Sequence, residues 1–262
     1  MKGVKVVKKR KILAALIIFM MLIGTGCTGF QPVAQVSPDF NKEQDLSLYI
    51  IEEEAKEGSK PVPLDPNLEY VDTAYVSKLL EAASVVSSRK TYDQAPPEWD
   101  FVLVDARPAK VFATGHINGS INIPDSEFEQ YKNLLPEDKD KLIIFYCGGL
   151  ACPLSANSAK KAEELGYTNV KVYQEGTPAW QAAGNYFVVT TEYINELIME
   201  SYVTRVDYAP YIMIDSRPYS SYFAEHIPNS IQMDDTIFVE KYLDSMPADK
   251  ATEIIIYCGG FT

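Results

Sequence analysis

The sequence predicts an α/β fold built on a mainly parallel sheet and laid down twice along the chain. Three observations predict it. Phe101-Val102-Leu103-Val104 and Leu142-Ile143-Ile144-Phe145-Tyr146 are apolar runs without polar alternation, the pattern of strands buried on both faces. Strand-like runs alternate with helical or loop stretches, which favours parallel strands with their site at the carboxyl ends. The same order of motifs then returns about 110 residues later.

Taken in order, residues 1–26 read as a leader. Lys2, Lys5, Lys8, Lys9, Arg10 and Lys11 precede the apolar run Ile12 to Ile23, and Gly24-Thr25-Gly26 stand before Cys27. Basic region, short apolar core and small residues are the parts of a secretory signal. A cysteine directly after the small residues resembles the lipobox of bacterial lipoproteins, which implies lipidation of Cys27 as the new N-terminus. An uncleaved signal anchor is the alternative. Either way the rest of the chain is expected outside the cytoplasm, in the cell envelope, and tethered to a membrane.

Without residues 1–26 the formal charge goes from −12 to −18, because that segment carries six cations and no acid. Such a surface repels nucleic acid, so none is expected as a partner. Cys147, Cys152 and Cys258 are the cysteines beyond Cys27, too few for a disulfide framework. They are expected to be kept for reactivity.

Residues 27–67 are rich in Pro, Gln, Ser and charge and read as a tether, in which Leu46 to Ile51 has the makings of one short element. The first domain is expected over 68–186. It opens with a short strand at Tyr70-Val71, a helix capped by Asp72 with Tyr75, Leu79 and Leu80 on one face, and a loop from Lys90 to Trp99. The strand 142–146 then ends at Cys147, followed by Gly148-Gly149-Leu150-Ala151-Cys152, and Pro153 opens a helix from Leu154 to Leu165. Loop N–H groups and the helix N-terminus are expected to favour a Cys147 thiolate.

The repeat is specific. Asp105-Ala106-Arg107-Pro108 returns as Asp215-Ser216-Arg217-Pro218 and His116-Ile117 as His226-Ile227, both displaced by 110; Tyr146-Cys147-Gly148-Gly149 returns as Tyr257-Cys258-Gly259-Gly260, displaced by 111. A second domain of the same fold is therefore expected over 187–262, with Phe187-Val188-Val189-Thr190-Thr191 starting it as Tyr70-Val71-Asp72-Thr73 starts the first. It breaks off inside the loop after Cys258, as a truncated frame or fragment would.

With the strand, Asp-x-Arg, Gly-His-Ile, the Cys-led loop and the closing Gly176-Thr177-Pro178-Ala179-Trp180 all in order, the chain resembles the rhodanese sulfurtransferases. The resemblance covers about 69–185 fully and 186–262 in part. It implies a three-layer fold around a five-stranded, mainly parallel sheet. It also implies a persulfide carried on Cys147, taken from a small sulfur donor and yielded to a thiol or other acceptor. Main-chain N–H groups from Gly148, Gly149, Leu150, Ala151 and Cys152 would hold the transferred sulfur. Many thiosulfate-using members carry Arg or Lys in this loop, whereas Gly148 to Ala151 are neutral here, which favours a persulfide or polysulfide donor. The related phosphatases need Arg where Pro153 stands.

Cys152 is read as a possible resolving thiol, opening the alternative of a dithiol redox protein; a non-catalytic binding module is a third reading. Cys258 is the second-domain counterpart of Cys147. His116 and His226, one per domain and without a second ligand at zinc spacing, are read as structural rather than metal ligands. Asp105 with Arg107 and Asp215 with Arg217 are expected to pair at their strand ends. Trp180 is expected in the core. The motifs call for no cofactor and no metal.

Overall fold

A computed structural model describes residues 60–83, 89, 91–203 and 211–259. The leader, Cys27 and the Leu46 to Ile51 stretch lie outside the described residues. Among the described residues no helix is long and apolar enough to cross a membrane.

The first copy comprises β1 (Glu69–Tyr70), α1 (Thr73–Ala82), β2 (Phe101–Asp105), α2 (Ala109–Thr114), β3 (Ile121–Asn122), α3 (Phe128–Tyr131), β4 (Leu142–Tyr146), α4 (Leu154–Glu164), β5 (Val170–Tyr173) and α5 (Gly176–Ala182). The strands form one sheet in the order β1-β5-β4-β2-β3, and every pairing is parallel. The two apolar runs are its centre. All five residues of β2 are buried, as are Ile143 to Tyr146 of β4.

Because side chains alternate across a strand, the central strands feed two cores. On one face Val102, Val104, Ile143 and Phe145 pack with Phe128 and with Ala159 and Ala162 of α4. On the other, Phe101, Leu103, Ile144 and Tyr146 pack with Val76 of α1 and Trp180 of α5. The result is the three-layer arrangement, with Trp180 in the core. Asp72 caps α1 by accepting the Tyr75 N–H at 2.8 Å. Val76 is the residue α1 buries fully, while Tyr75 is largely exposed, so the apolar face is rotated from the one read off Tyr75, Leu79 and Leu80.

Strand ends are locked by charge. Asp105 and Arg107 make a bidentate pair, Nη2 to Oδ2 at 2.6 Å and Nε to Oδ1 at 2.9 Å, and the Arg107 Nη2 also donates to the Gly115 carbonyl. Burial works most strongly against the guanidinium charge; the bond to Asp105, the Asp105 charge and Tyr146 together outweigh it and hold Arg107 above its ordinary pKa. Asp215 and Arg217 repeat this pair at 2.7 Å.

The second copy comprises α6 (Thr191–Val203), β6 (Tyr211–Asp215), α7 (Tyr219–Ala224), β7 (Ile231–Gln232) and β8 (Glu253–Tyr257), with a parallel sheet in the order β7-β6-β8. These are the counterparts of β3, β2 and β4. Among the described residues no strand pairs with the outer side of β8. Ile254 and Ile256 are therefore 42% and 61% exposed, whereas their counterparts Ile143 and Phe145 are fully buried. The shift in displacement from 110 to 111 has a location: α3 is a four-residue turn, and its counterpart Phe238–Tyr242 is a five-residue π turn that absorbs one extra residue.

The start of the second copy departs from expectation. Residues 187–190 join no strand of their own sheet. Val188 instead pairs antiparallel with His116, each N–H donating to the other's carbonyl at 2.9 Å, and the Tyr92 hydroxyl donates to the Val189 carbonyl at 3.0 Å. The strand that β1 pairs with in the first copy is β5, and no counterpart of it is found among the described residues.

His116 lies at this seam, fully buried, stacked on Phe112 with ring centroids 3.7 Å apart and with Nδ1 2.9 Å from the Phe112 carbonyl. Burial lowers its pKa from 6.5 to about 3, with Arg89 and Arg107 adding to the effect against the Phe112 bond. The folded protein thus holds His116 neutral while the unfolded chain protonates it. Stability contributed by neutral His116 is complete above about 6.5 and is lost as the pH falls from there towards about 3. Urea midpoints measured between pH 7 and pH 4 are expected to fall more steeply for the parent than for His116→Gln.

Candidate active site

β4 carries Cys147 to the carboxyl edge of the sheet between β2 and β5, and α4 starts seven residues later. The loop between them is closed from two sides. Thr177 N–H at the start of α5 donates to the Cys147 carbonyl at 3.1 Å. Gly176, at φ +59°, lies so close that a Cβ there would clash with the Cys147 carbonyl oxygen. Within the loop Gly149 adopts φ +109°, and the Cys152 N–H donates to its carbonyl at 2.9 Å. On the outside, Val62 N–H donates to the carbonyl of exposed Leu150 at 2.9 Å, so the segment entering the domain touches the loop.

The structure brings Cys147 and Cys152 together in one loop, each acting on the other's acidity. Their surroundings differ. Cys147 is fully buried; its Sγ lies 3.3 Å from the Cys152 carbonyl, to which the thiol donates, and 3.2 Å from Ser155 Oγ. Cys152 is half-buried, and the N–H groups of Gly148 and Leu154 face its sulfur.

The distribution of acidity follows. The neighbouring Cys147, with the Leu154 and Gly148 N–H groups, outweighs burial and lowers Cys152 to about 6. The Cys152 sulfur and burial together push the Cys147 thiol well up, against the pull of the Ser155 hydroxyl and N–H. Of the pair, Cys152 is made more acidic and Cys147 less acidic than a free cysteine. The sequence led us to expect loop N–H groups on the Cys147 thiolate; Gly148 N–H serves Cys152 instead, and Cys147 receives Ser155 N–H. The reason is that the loop turns the Cys152 carbonyl, an acceptor, towards the Cys147 sulfur.

Two residues at this site were not singled out from the sequence, Ser155 and Gln174. Both are buried polar side chains. Gln174 Nε2 donates to the Cys152 carbonyl at 2.7 Å and to the Gly149 carbonyl at 3.3 Å, and its Oε1 accepts from Ser155 Oγ at 3.4 Å. Nothing in their local sequence marks them, since both act across strand register. A third, Tyr146, had a visible signal. Its buried hydroxyl accepts from Ile117 N–H and pairs with Ser120 Oγ at 2.9 Å, and Tyr257 does the same with Ile227 and Ser230. Both pairs recur in the internal repeat.

Of the other expected residues, Asp105, Arg107 and His116 lie beneath the loop's end of the sheet rather than against the sulfur. Cys258 is exposed at the end of β8, and the loop beyond Gly259 lies outside the described residues. His226 stacks on Tyr222 with ring centroids 4.0 Å apart, as His116 does on Phe112, but it is exposed.

The ionisation pattern has a direct readout. With limiting iodoacetamide at pH 7, peptide mass analysis should find Cys152 carboxamidomethylated well before Cys147. Cys152→Ala removes the largest cause of the raised Cys147 pKa, so the Cys147 rate at pH 7 should rise several-fold; an unchanged rate would count against Cys152 as that cause.

Residues 88–183 and 199–261 match the family model for a rhodanese-like domain. An 83-residue stretch is 40% identical to the uncharacterised protein YibN of Escherichia coli, covering 31% of this chain and 56% of YibN. An 85-residue stretch is 35% identical to the HTH-type transcriptional regulator Rv0324 of Mycobacterium tuberculosis, covering 32% of this chain and 36% of the regulator. The matches thus span about a third to a half of the length of these relatives. Among solved structures, the BH2092 protein of Bacillus halodurans aligns at 25% identity over 47% of this chain and 77% of its own, with a TM-score of 0.37. A thiosulfate sulfurtransferase of Pseudomonas aeruginosa aligns at 19% identity over 73% of this chain and 36% of its own, with the same TM-score of 0.37. Two matching segments, at the positions where the repeat and the two parallel sheets lie, make this chain a member of the rhodanese-like domain family.

Proposed function

We propose that the protein is a sulfurtransferase that carries sulfane sulfur as a persulfide on Cys147. The observation that carries this is the paired thiols of one loop at the carboxyl end of β4, with the Cys147 sulfur facing the hydroxyl and N–H of Ser155. Cys152, ionised first, accepts the Cys147 proton as Cys147 attacks the outer sulfur of a persulfide donor. The bond between the donor's two sulfurs breaks, and the inner sulfur leaves as a thiolate. An acceptor thiolate then attacks the terminal sulfur of Cys147–S–SH and takes it away, returning Cys147 as thiolate. Gly148, Gly149, Leu150 and Ala151 form the rim over which donor and acceptor arrive, and their neutrality supports a persulfide or polysulfide donor over thiosulfate.

A second reading rests on the two cysteines meeting in one loop, where the Cys147 thiol donates to the Cys152 carbonyl. Cys152 thiolate attacks the inner sulfur of the Cys147 persulfide, a disulfide forms and hydrosulfide departs, so that the two thiols are oxidised and the sulfane sulfur is reduced. An external dithiol then restores the pair. Cys258 is proposed as the counterpart site of the second copy, and 68–186 and 187–262 as the two domains.

Incubation with polysulfide should add the mass of one sulfur atom to the Cys147 peptide and leave Cys147→Ser unmodified there. Multiple-turnover transfer to a thiol acceptor separates the two readings: Cys152→Ser retains it if Cys147 is a simple carrier and abolishes it if a disulfide is obligatory.

We further propose export and lipid anchoring at Cys27, supported by the order of basic, apolar and small residues in 1–26. Labelled palmitate should enter the protein in a bacterial host and fail to enter Cys27→Ser.

A further inference from the structure

Two of the groups that meet the Cys147 sulfur differ in which form of it they favour. The Cys152 carbonyl oxygen, 3.3 Å away, accepts S–H and so favours the thiol. The Ser155 hydroxyl, 3.2 Å away, is a rotor that donates to a thiolate or accepts from a thiol. One side chain holds both. Gln174 follows β5 directly and is 4% exposed; its Nε2 binds the Cys152 carbonyl and its Oε1 takes the Ser155 hydroxyl proton. It does not touch the Cys147 sulfur.

We infer that Gln174 is a positioning residue that sets how readily the Cys147 sulfur ionises, by holding the Cys152 carbonyl and the Ser155 hydroxyl on either side of it. This deepens the proposed function and rests on Cys147 being the reactive sulfur. The amide is suited to the task because it offers a donor to the carbonyl and an acceptor to the hydroxyl at once. The 2.7 Å bond to Nε2 occupies the Cys152 carbonyl and weakens its hold on the Cys147 proton. The 3.4 Å bond to Oε1 is long, so the hydroxyl leaves it at little cost and turns to the sulfur when Cys147 ionises.

The groups facing the pair from each packed element are few. Asp105, at the end of β2, raises Cys152 slightly and is itself bound by Arg107. From α4 comes uncharged Ser155. Beyond β5, Glu175 turns away to bind Thr73, at 2.8 Å from its N–H and 2.5 Å from its hydroxyl. Gln174 is thus the place where a single charge would act on Cys147.

The test uses the full chain with Cys152→Ala, so that Cys147 titrates without its neighbour, and follows the pH dependence of iodoacetamide alkylation at the Cys147 peptide. Gln174→Glu keeps an acceptor for Ser155, removes the donor to the Cys152 carbonyl and adds negative charge. The midpoint should rise by about one unit, which is about tenfold slower alkylation at pH values below both midpoints. Superimposable profiles overturn the inference, as does a rate lowered by one factor at every pH, the mark of a merely structural role. If Gln174→Glu does not fold, Gln174→Met in a Ser155→Ala background carries the same test: with the hydroxyl gone, freeing the Cys152 carbonyl should raise the midpoint above that of Ser155→Ala alone, and no rise overturns the inference. Sulfur loading of parent Cys147 is measured in parallel. Absence of loading removes the proposed function and leaves the alkylation profiles to decide the role of Gln174.

Discussion

The contact on which the site depends is between two stretches of backbone, the carbonyl of Cys147 and the chain at Gly176 and Thr177. The Thr177 N–H donates to that carbonyl, and Gly176, in the left-handed region at φ +59°, lets the two backbones approach where a Cβ would collide. This approach is set by strand register. Ile143 pairs with Val170 and Tyr146 with Tyr173, so the residues just beyond β4 and just beyond β5 emerge level with each other at the sheet edge. Cys147 is the first residue past β4, Gln174 the first past β5. The loop from Gly148 to Cys152 is therefore folded back between two neighbouring parallel strands, with α4 on its far side. Its carbonyls turn inward because Gln174 is there to bind them.

Register also explains what the sequence disclosed. Buried parallel strands announce themselves locally, since a run such as Ile143 to Tyr146 needs no partner to be recognised as apolar on both faces. Cys147 at the end of such a run, before two glycines and a helix-opening proline, was legible for the same reason. Ser155 and Gln174 were not. Each is a single polar residue with no periodicity, and its importance exists only once β4 and β5 are paired and α4 is laid on the sheet. The relation between the two thiols was out of reach for a related reason. A helix N-terminus and loop N–H groups are local features that favour a thiolate, but which of two cysteines receives them depends on which way one peptide plane faces. The Cys152 carbonyl faces Cys147, so the benefit of Gly148 N–H falls to Cys152.

The internal repeat was legible as arithmetic, and the structure gives that arithmetic a physical form. The bidentate Asp-Arg pair and the tyrosine hydroxyl received by a serine and a backbone N–H occur in both copies with nearly equal distances. These are interactions within a β2-β3-β4 unit and its counterpart, and they do not need the rest of a domain. Interactions that do need it are unequal. Ile254 and Ile256 are exposed where Ile143 and Phe145 are buried, because α4 and β5 cover the latter and nothing among the described residues covers the former. Among the described residues no β5-like strand pairs with the first segment of the second copy, whose Val188 exchanges backbone hydrogen bonds with His116 of the first copy. Burying His116 there, neutral and stacked on Phe112, couples the two copies through a group that resists protonation, whereas exposed His226 is under no such constraint.

Two thiols in one loop resolve a conflict that a single thiol faces. A cysteine must ionise to react, yet whatever stabilises its thiolate also makes it a weaker nucleophile, with a Brønsted coefficient of about 0.4–0.5. On the proposed pathway Cys152 carries the stabilisation, its pKa lowered by the neighbouring Cys147 and the Leu154 and Gly148 N–H groups, and its sulfur is correspondingly blunted. On the same pathway Cys147 carries the reactivity, its thiolate harder to form and stronger once formed, with Cys152 as the base that receives its proton. On the proposed pathway the charge passes from Cys152 to Cys147 only as the new sulfur–sulfur bond takes it up. The buried position of Cys147 fits that pathway, since a persulfide placed there would lie against Ser155 and away from bulk water, to be reached over the neutral rim of Gly148 to Ala151.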